Sequence, residues 1–311
     1  MLALKLFKEH NNHISAKILV KAHTRYFDTD KFSLFSGLHR ASIFGIDEIV
    51  ASLVEVEGCD INQNDCAGYT PLIWAAMNGH KGVVKMLLGR DDANPAKPGQ
   101  GNQTPLCFAA MNGHEGVVKI LLGQDEVNPE KPGEYGQTPF CFAAENGHEG
   151  VVKILLGRND VNPEKPGQWD QTPLCFAAEK GHEGVVKILL ERDDVNPDKP
   201  NHLGTPLCFA VMNGHEGVVK MLLGRDDVNP DKPGRRGQTP LSFAAENGHE
   251  GVVKILLGRD DVSPNKPDNE GRTPLSLAVQ RGHAGVVALL QLLAPITSST
   301  ISRRRTRAQT Y

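Results

Sequence analysis

The 311 residues contain no uninterrupted apolar run of the roughly 18 or more residues that a membrane-spanning helix requires. The N-terminal stretch MLALKLFKEH carries Lys5, Lys8 and Glu9 where a secretory signal needs an apolar core. No membrane association is therefore expected, and a cytoplasmic protein is, with the nucleus also open. Residues 1–30 lack a GxxxxGK[ST] string, so no loop that cradles phosphates is expected and neither is ATP binding. A formal net charge of −3 gives no overall basic field for nucleic acid, although SRRRTR near the C-terminus is locally basic. The recurring His-Glu pair lacks a second His four residues on, so the two ligands that a zinc protease places on one helix face are missing.

What the sequence has is repetition. HEGVVK is identical from His114, His148, His182, His215 and His249, with HKGVVK from His80 and HAGVVA from His283. Thr-Pro pairs begin at Thr70, Thr104, Thr138, Thr172, Thr205, Thr239 and Thr273, spaced by 34 residues with one step of 33. A weaker unit, SGLHRASIFGIDEIVASLVE from Ser36, stands one period earlier and brings the count to eight. A fixed period of this length signals a solenoid, in which neighbouring units bury one another's apolar faces.

One repeat is readable in physical terms. In QTPLSFAAENGHEGVVKILLGRDDVSP, Thr239 can cap a helix and Pro240 suits its first position, where no amide donor is needed. Leu241, Ala244 and Ala245 share one face, and Gly248 permits the turn that ends the helix. A second helix follows with Val252, Val253, Leu256 and Leu257 inward and Lys254 outward, and Gly258 is expected to end it in the same way. Prolines and glycines in DDVNPDKPGRRGQ then forbid helix and favour a projecting finger.

The six cysteines do not form an obvious disulfide framework. Cys107, Cys141, Cys175 and Cys208 hold one position of successive repeats and so lie on different helices. Packed helices sit about 8–10 Å apart, whereas a disulfide needs Cα atoms within about 7 Å. Reduced, semi-buried thiols are expected.

The string G-x-TPL-x-x-AA-x-x-GH-x-x-VVK-x-LL, carried by Gly136, Thr138, Pro139, Ala143, Ala144, Gly147, His148 and Lys153, resembles the ankyrin repeat. The resemblance implies an all-α ankyrin-repeat solenoid of about eight helix-turn-helix units over residues 31–294, joined by long turn fingers. Residues 1–30 are read as an N-terminal extension, a helical cap, and 295–311 as a disordered basic tail rich in Ser and Thr. Three departures stand out. Most ankyrin units have His after Thr-Pro-Leu, but only His39 holds that place here, with Ile73, Cys107, Cys141, Cys175, Cys208, Ser242 and Ser276 elsewhere, so the usual Thr to His hydrogen bond is expected to be mostly absent. The finger is about two residues longer than the common ankyrin turn, part of what extends a unit of about 33 residues to 34. The last unit places Ala288 where Lys recurs, leaving an apolar outer helix that something would have to cover. The finger GRDDVNPDKP and the opening FSGLHRASIFGIDEIVASL are also similar to ankyrin arrays of large fungal proteins that carry a NACHT nucleotide-binding domain.

The evenly spread His, Glu and Asp do not converge on a cleft, so catalysis is not expected. The His column is read as local hydrogen bonding at the turn between helices, because ligands about 2 Å from one ion cannot come from units roughly 10 Å apart. No metal and no cofactor are expected. The expected role is a protein-binding module, a monomer gripping an unnamed partner protein, with an intracellular scaffold or targeting subunit as the alternative. Two sets of side chains are candidates for contact. Trp74, Phe108, Phe142, Phe176, Phe209 and Phe243, with Met111 and Met212, fall on the first-helix face that the Leu-Ala-Ala stripe leaves, where they either line a concave groove or pack against the adjacent finger. The finger tips diverge between otherwise near-identical repeats and carry Tyr135, Trp169, Leu203, Arg235 and Arg236, residue types of which Tyr, Trp and Arg are enriched among interface hot spots.

Overall fold

The computed structural model describes residues 37–292, so the expectations for 1–30 and 295–311 fall outside the described residues. The chain divides into two units, one ending at Gln168 and the other beginning at Trp169. All regular structure among the described residues is helical. The first unit holds four pairs: α1 (Gly37–Phe44) with α2 (Asp47–Val54), α3 (Pro71–Met77) with α4 (Lys81–Leu88), α5 (Pro105–Met111) with α6 (Glu115–Leu121), and α7 (Pro139–Glu145) with α8 (Glu149–Leu156). The second holds four more: α9 (Pro173–Lys180) with α10 (Glu183–Leu190), α11 (Pro206–Met212) with α12 (Glu216–Leu223), α13 (Pro240–Asn247) with α14 (Glu250–Leu257), and α15 (Pro274–Arg281) with α16 (Ala284–Leu292).

From α3 onward each first helix begins as its sequence dictates. Thr104 Oγ1 accepts from the Cys107 amide and Thr239 Oγ1 from the Ser242 amide, in both cases with Pro at the first helical position. The helix ends where a left-handed glycine follows, Gly113 at φ 73° and Gly248 at φ 78°. Five of the second helices open with Glu, as at Glu115 and Glu149, next to amide groups that have no partner within the helix. Their ends differ from the expectation for Gly258. Gly258 has φ −74° and ψ −1°, which is right-handed, and Glu191 at the equivalent position has φ −74° and ψ −6°. Any residue can adopt that backbone, so glycine is not required there.

Helices of seven to nine residues are too short to persist alone. In each unit they are held by stacking: α1, α3, α5 and α7 contact one another in succession, as do α9, α11, α13 and α15. The interior is Leu, Val and Ala, with Leu106, Ala109, Ala110, Val117, Val118 and Leu121 fully buried in one pair. Each fully buried Leu or Val contributes about 1.5–3 kcal/mol. Among the described residues the end of the second unit is less well covered: Leu292 is 82 % exposed, and no atom of them approaches Gly282 on the side where Gly248 meets His283.

Three side-chain ladders join successive repeats through backbone carbonyls. The His column does not bond locally at its own turn. His114 Nε2 lies 2.9 Å from the Met77 carbonyl and His148 Nε2 2.9 Å from that of Met111, each one repeat back. In the second unit His249 reaches Met212 and His283 reaches Glu246, both at 3.0 Å. Where Arg follows a second helix it grips the Asp two residues on and donates its remaining terminal nitrogen to the end of the preceding second helix: Arg158 to Leu122, Arg225 to Leu190, Arg259 to Leu223. A cation suits that place because helix C-termini expose unpaired carbonyls and negative partial charge. The Arg partner holds the Asp160, Asp227 and Asp261 carboxyls below their usual range. Finally, the Lys of each finger reaches back to the finger before it, as Lys165 does to the Glu130 carbonyl at 2.8 Å and Lys232 to that of Asp198 at 2.7 Å.

Candidate functional site

The position that Most ankyrin-like units give to His is filled here by a thiol, and the thiol takes over part of the same geometry. His39 is fully buried, with Nε2 3.0 Å from the Gln63 carbonyl and 3.1 Å from that of Tyr69. Cys141 Sγ lies 3.5 Å from the Lys165 carbonyl, the same 24 residues ahead, and 3.3 Å from Thr138 Oγ1. Cys107, Cys141, Cys175 and Cys208 are fully buried rather than semi-buried, since the finger closes over them. Burial pushes the Cys141 thiol up to about 11 and raises those of Cys107 and Cys208, so these groups are poor nucleophiles at neutral pH. Among the described residues no group of three or more His, Cys, Asp or Glu is placed to hold a metal ion.

His39 makes the first repeat sensitive to acid. Desolvation lowers its pKa below 6.5, against the opposing pull of Asp65. Below about pH 6.5 the unfolded chain therefore binds a proton that the folded chain refuses, and stability falls with pH until the folded group also titrates. Urea unfolding at pH 7.5 and 5.5 should show a smaller acid loss in His39→Gln than in the wild type; an identical loss would remove His39 as the cause.

The aromatic column packs rather than lining an open groove. Phe108, Phe142, Phe176, Phe209 and Phe243 are all buried, which fits the packing alternative and not the groove. The reason lies in the fingers. The Tyr69 ring stands edge-on to Phe108 at 5.4 Å and to Trp74 at 5.3 Å, and a Cβ on Gly234 would lie 3.2 Å from Phe243 Cε2. Trp74 is half-buried, its indole N–H donating to Asp65 Oδ2 at 2.7 Å. Met111 and Met212 are half-buried and mark the accessible rim of the first helices.

The finger tips are accessible. Tyr135 is 64 % exposed and Trp169 63 % exposed; Arg235 and Arg236 are exposed as well, and Leu203 is half-buried. Tyr135, Trp169 and Arg236 occupy a left-handed backbone at φ 55°, 58° and 58°. Gly101 holds the corresponding place in an earlier finger at φ 65°. A side chain in that region costs about 1–2 kcal/mol, so three large residues sit where glycine fits better.

The family of Ankyrin repeats (3 copies) matches residues 1–98, 38–131, 90–166, 158–233 and 207–298. No curated protein matches the chain. Among solved structures, the crystal structure of the human ASB11 ankyrin repeat domain is similar, with a TM-score of 0.64 and 25 % identity over 71 % of this chain and 98 % of that one. No helix of the described residues is long and apolar enough to cross a membrane.

Proposed function

This chain belongs to the ankyrin repeat family, and we propose that it is a non-enzymatic module that binds a partner protein through its finger tips and the accessible rim of its first helices. The observation that carries this reading is the exposure of Tyr135, Trp169 and Arg236 on left-handed backbone. A large side chain costs the backbone about 1–2 kcal/mol at those positions, and backbone strain of this kind gathers where a site uses it. The similarity to fungal NACHT-ankyrin arrays supports a use in recognition within an NLR-like response protein.

Capturing the partner with the intact chain and then measuring its affinity for tip variants tests the reading. Trp169→Ala should weaken the complex by about 2 kcal/mol, with smaller losses for Tyr135→Ala and Arg236→Ala. Trp169→Gly should lose binding to the same extent while leaving stability unchanged or raising it by up to about 1 kcal/mol, since glycine relieves the left-handed penalty against its own entropic cost. Unchanged affinity in all of these variants would make the tips ordinary tolerant loops.

A further inference from the structure

We propose that the finger tips of the second unit form a composite docking surface for an extended acidic peptide, with an apolar side chain of the peptide against Trp169 and a pair of carboxylates at Arg235 and Arg236. The inference rests on the tip-binding reading above and specifies the chemistry of the partner.

Four neighbouring fingers are tied to one another by hydrogen bonds to backbone carbonyls. Asn201 Nδ2 donates to the Trp169 carbonyl at 3.3 Å, and its Oδ1 accepts from the amides of Leu203 and Gly204. The Arg235 amide donates to the Leu203 carbonyl at 3.0 Å, and the Asn269 amide to that of Arg236 at 2.9 Å. Trp169 and Arg236 are thereby held in a defined register by elements with little freedom of their own. The indole is also braced, standing edge-on to the exposed His202 ring at 6.4 Å.

Charge decides what fits. Arg235 and Arg236 are exposed and form no ion pair among the described residues. The acids around them are already engaged: Asp268 and Glu270 with Arg272, Glu246 with Arg281 and with the Gln238 amide. Two adjacent guanidinium groups without counter-ions favour carboxylates, which they can grip with two parallel bonds each. At the other end Asp170 is exposed beside Trp169 and repels an acid there, so the apolar residue belongs at Trp169 and the acidic pair at the arginines. The two ends are two repeats apart, about 16–20 Å at helix-packing distances, which an extended peptide spans in about six residues. A nucleic acid strand fits less well, because it needs a positive track along its backbone and Asp170 interrupts this one.

The test uses the full chain and a fluorescein-labelled nonapeptide with Leu and an Asp-Glu pair six residues apart, read by anisotropy at low salt. A peptide with Lys-Lys in place of Asp-Glu and a single-stranded oligonucleotide of equal length serve as comparisons. The acidic peptide should bind at least tenfold more tightly than the basic one. Reversing both arginines (R235E with R236E) and Trp169→Ala should each weaken it about tenfold, the first effect fading in 0.5 M salt, on the order of a 4 Å screening length. Lys119→Ala, on the exposed face of α6 in the first unit, should leave it unchanged. Equal binding of the basic peptide, tighter binding of the oligonucleotide, or no binding of the acidic peptide overturns the proposal. Should the captured partner still depend on Trp169 in any of those cases, the tip-binding reading survives and only the acidic chemistry falls.

Discussion

Phe243→Ala should destabilise the second unit by about 3–5 kcal/mol, the usual loss when a buried phenyl ring is removed and its cavity stays open. The ring is buried against its own finger, where Gly234 approaches Cε2, and the finger is tied to its neighbour through the Arg235 amide. Relaxation into the cavity would have to break that tie, so little collapse is expected. Urea unfolding should show the midpoint falling by more than about 1 M at an ordinary slope. Phe176→Ala should behave the same way. Partner affinity, measured where the variant is still folded, should change little, and the opposite pattern is expected of Trp169→Ala. A loss below about 1 kcal/mol with strongly weakened binding would return the phenylalanines to the contact surface.

Much of the helical framework is legible one repeat at a time. Thr239 and Pro240 mark a helix start and Gly248 its end because each residue acts on its own backbone, and the structure places all three as their chemistry requires. What one repeat cannot show is what the next one does. A helical wheel puts Phe108 away from the Leu-Ala-Ala stripe correctly, but the Tyr69 ring that covers it comes from the preceding finger. The same holds for His148, whose partner is 37 residues back, and for Arg158, whose partner is 36 residues back. Their even spacing is the spacing a stack needs to join each repeat to the last. The left-handed tips left one readable trace. Gly101 aligns with Tyr135, Trp169 and Arg236, and a glycine in one copy indicates the backbone that the others are forced to adopt.

The turn between paired helices should tolerate substitution poorly, and Gly113→Ala should cost about 1–3 kcal/mol. Three effects combine there, the second opposing the other two. Gly113 has φ 73°, where a side chain costs about 1–2 kcal/mol. Alanine recovers part of this, about 0.5–1 kcal/mol, by restricting the unfolded chain. The new Cβ would then lie 2.6 Å from His148 Nδ1 and 2.8 Å from Cε1. That ring cannot simply swing aside, because its Nε2 is held to the Met111 carbonyl, and losing that bond removes a further 0.5–1.5 kcal/mol or so. Two other glycines separate these contributions. Gly282 has φ 78° but no described atom near its Cβ position, so Gly282→Ala should show the backbone effect alone, up to about 1.5 kcal/mol. Gly150 sits inside α8, where its Cβ would meet only the end of the exposed Glu115 side chain, which can rotate away; Gly150→Ala should be neutral or stabilising by up to about 1 kcal/mol. Thermal or urea unfolding of the three variants checks the order, and a Gly113→Ala loss no larger than that of Gly282→Ala would mean that the His148 bridge between repeats contributes nothing to the stack.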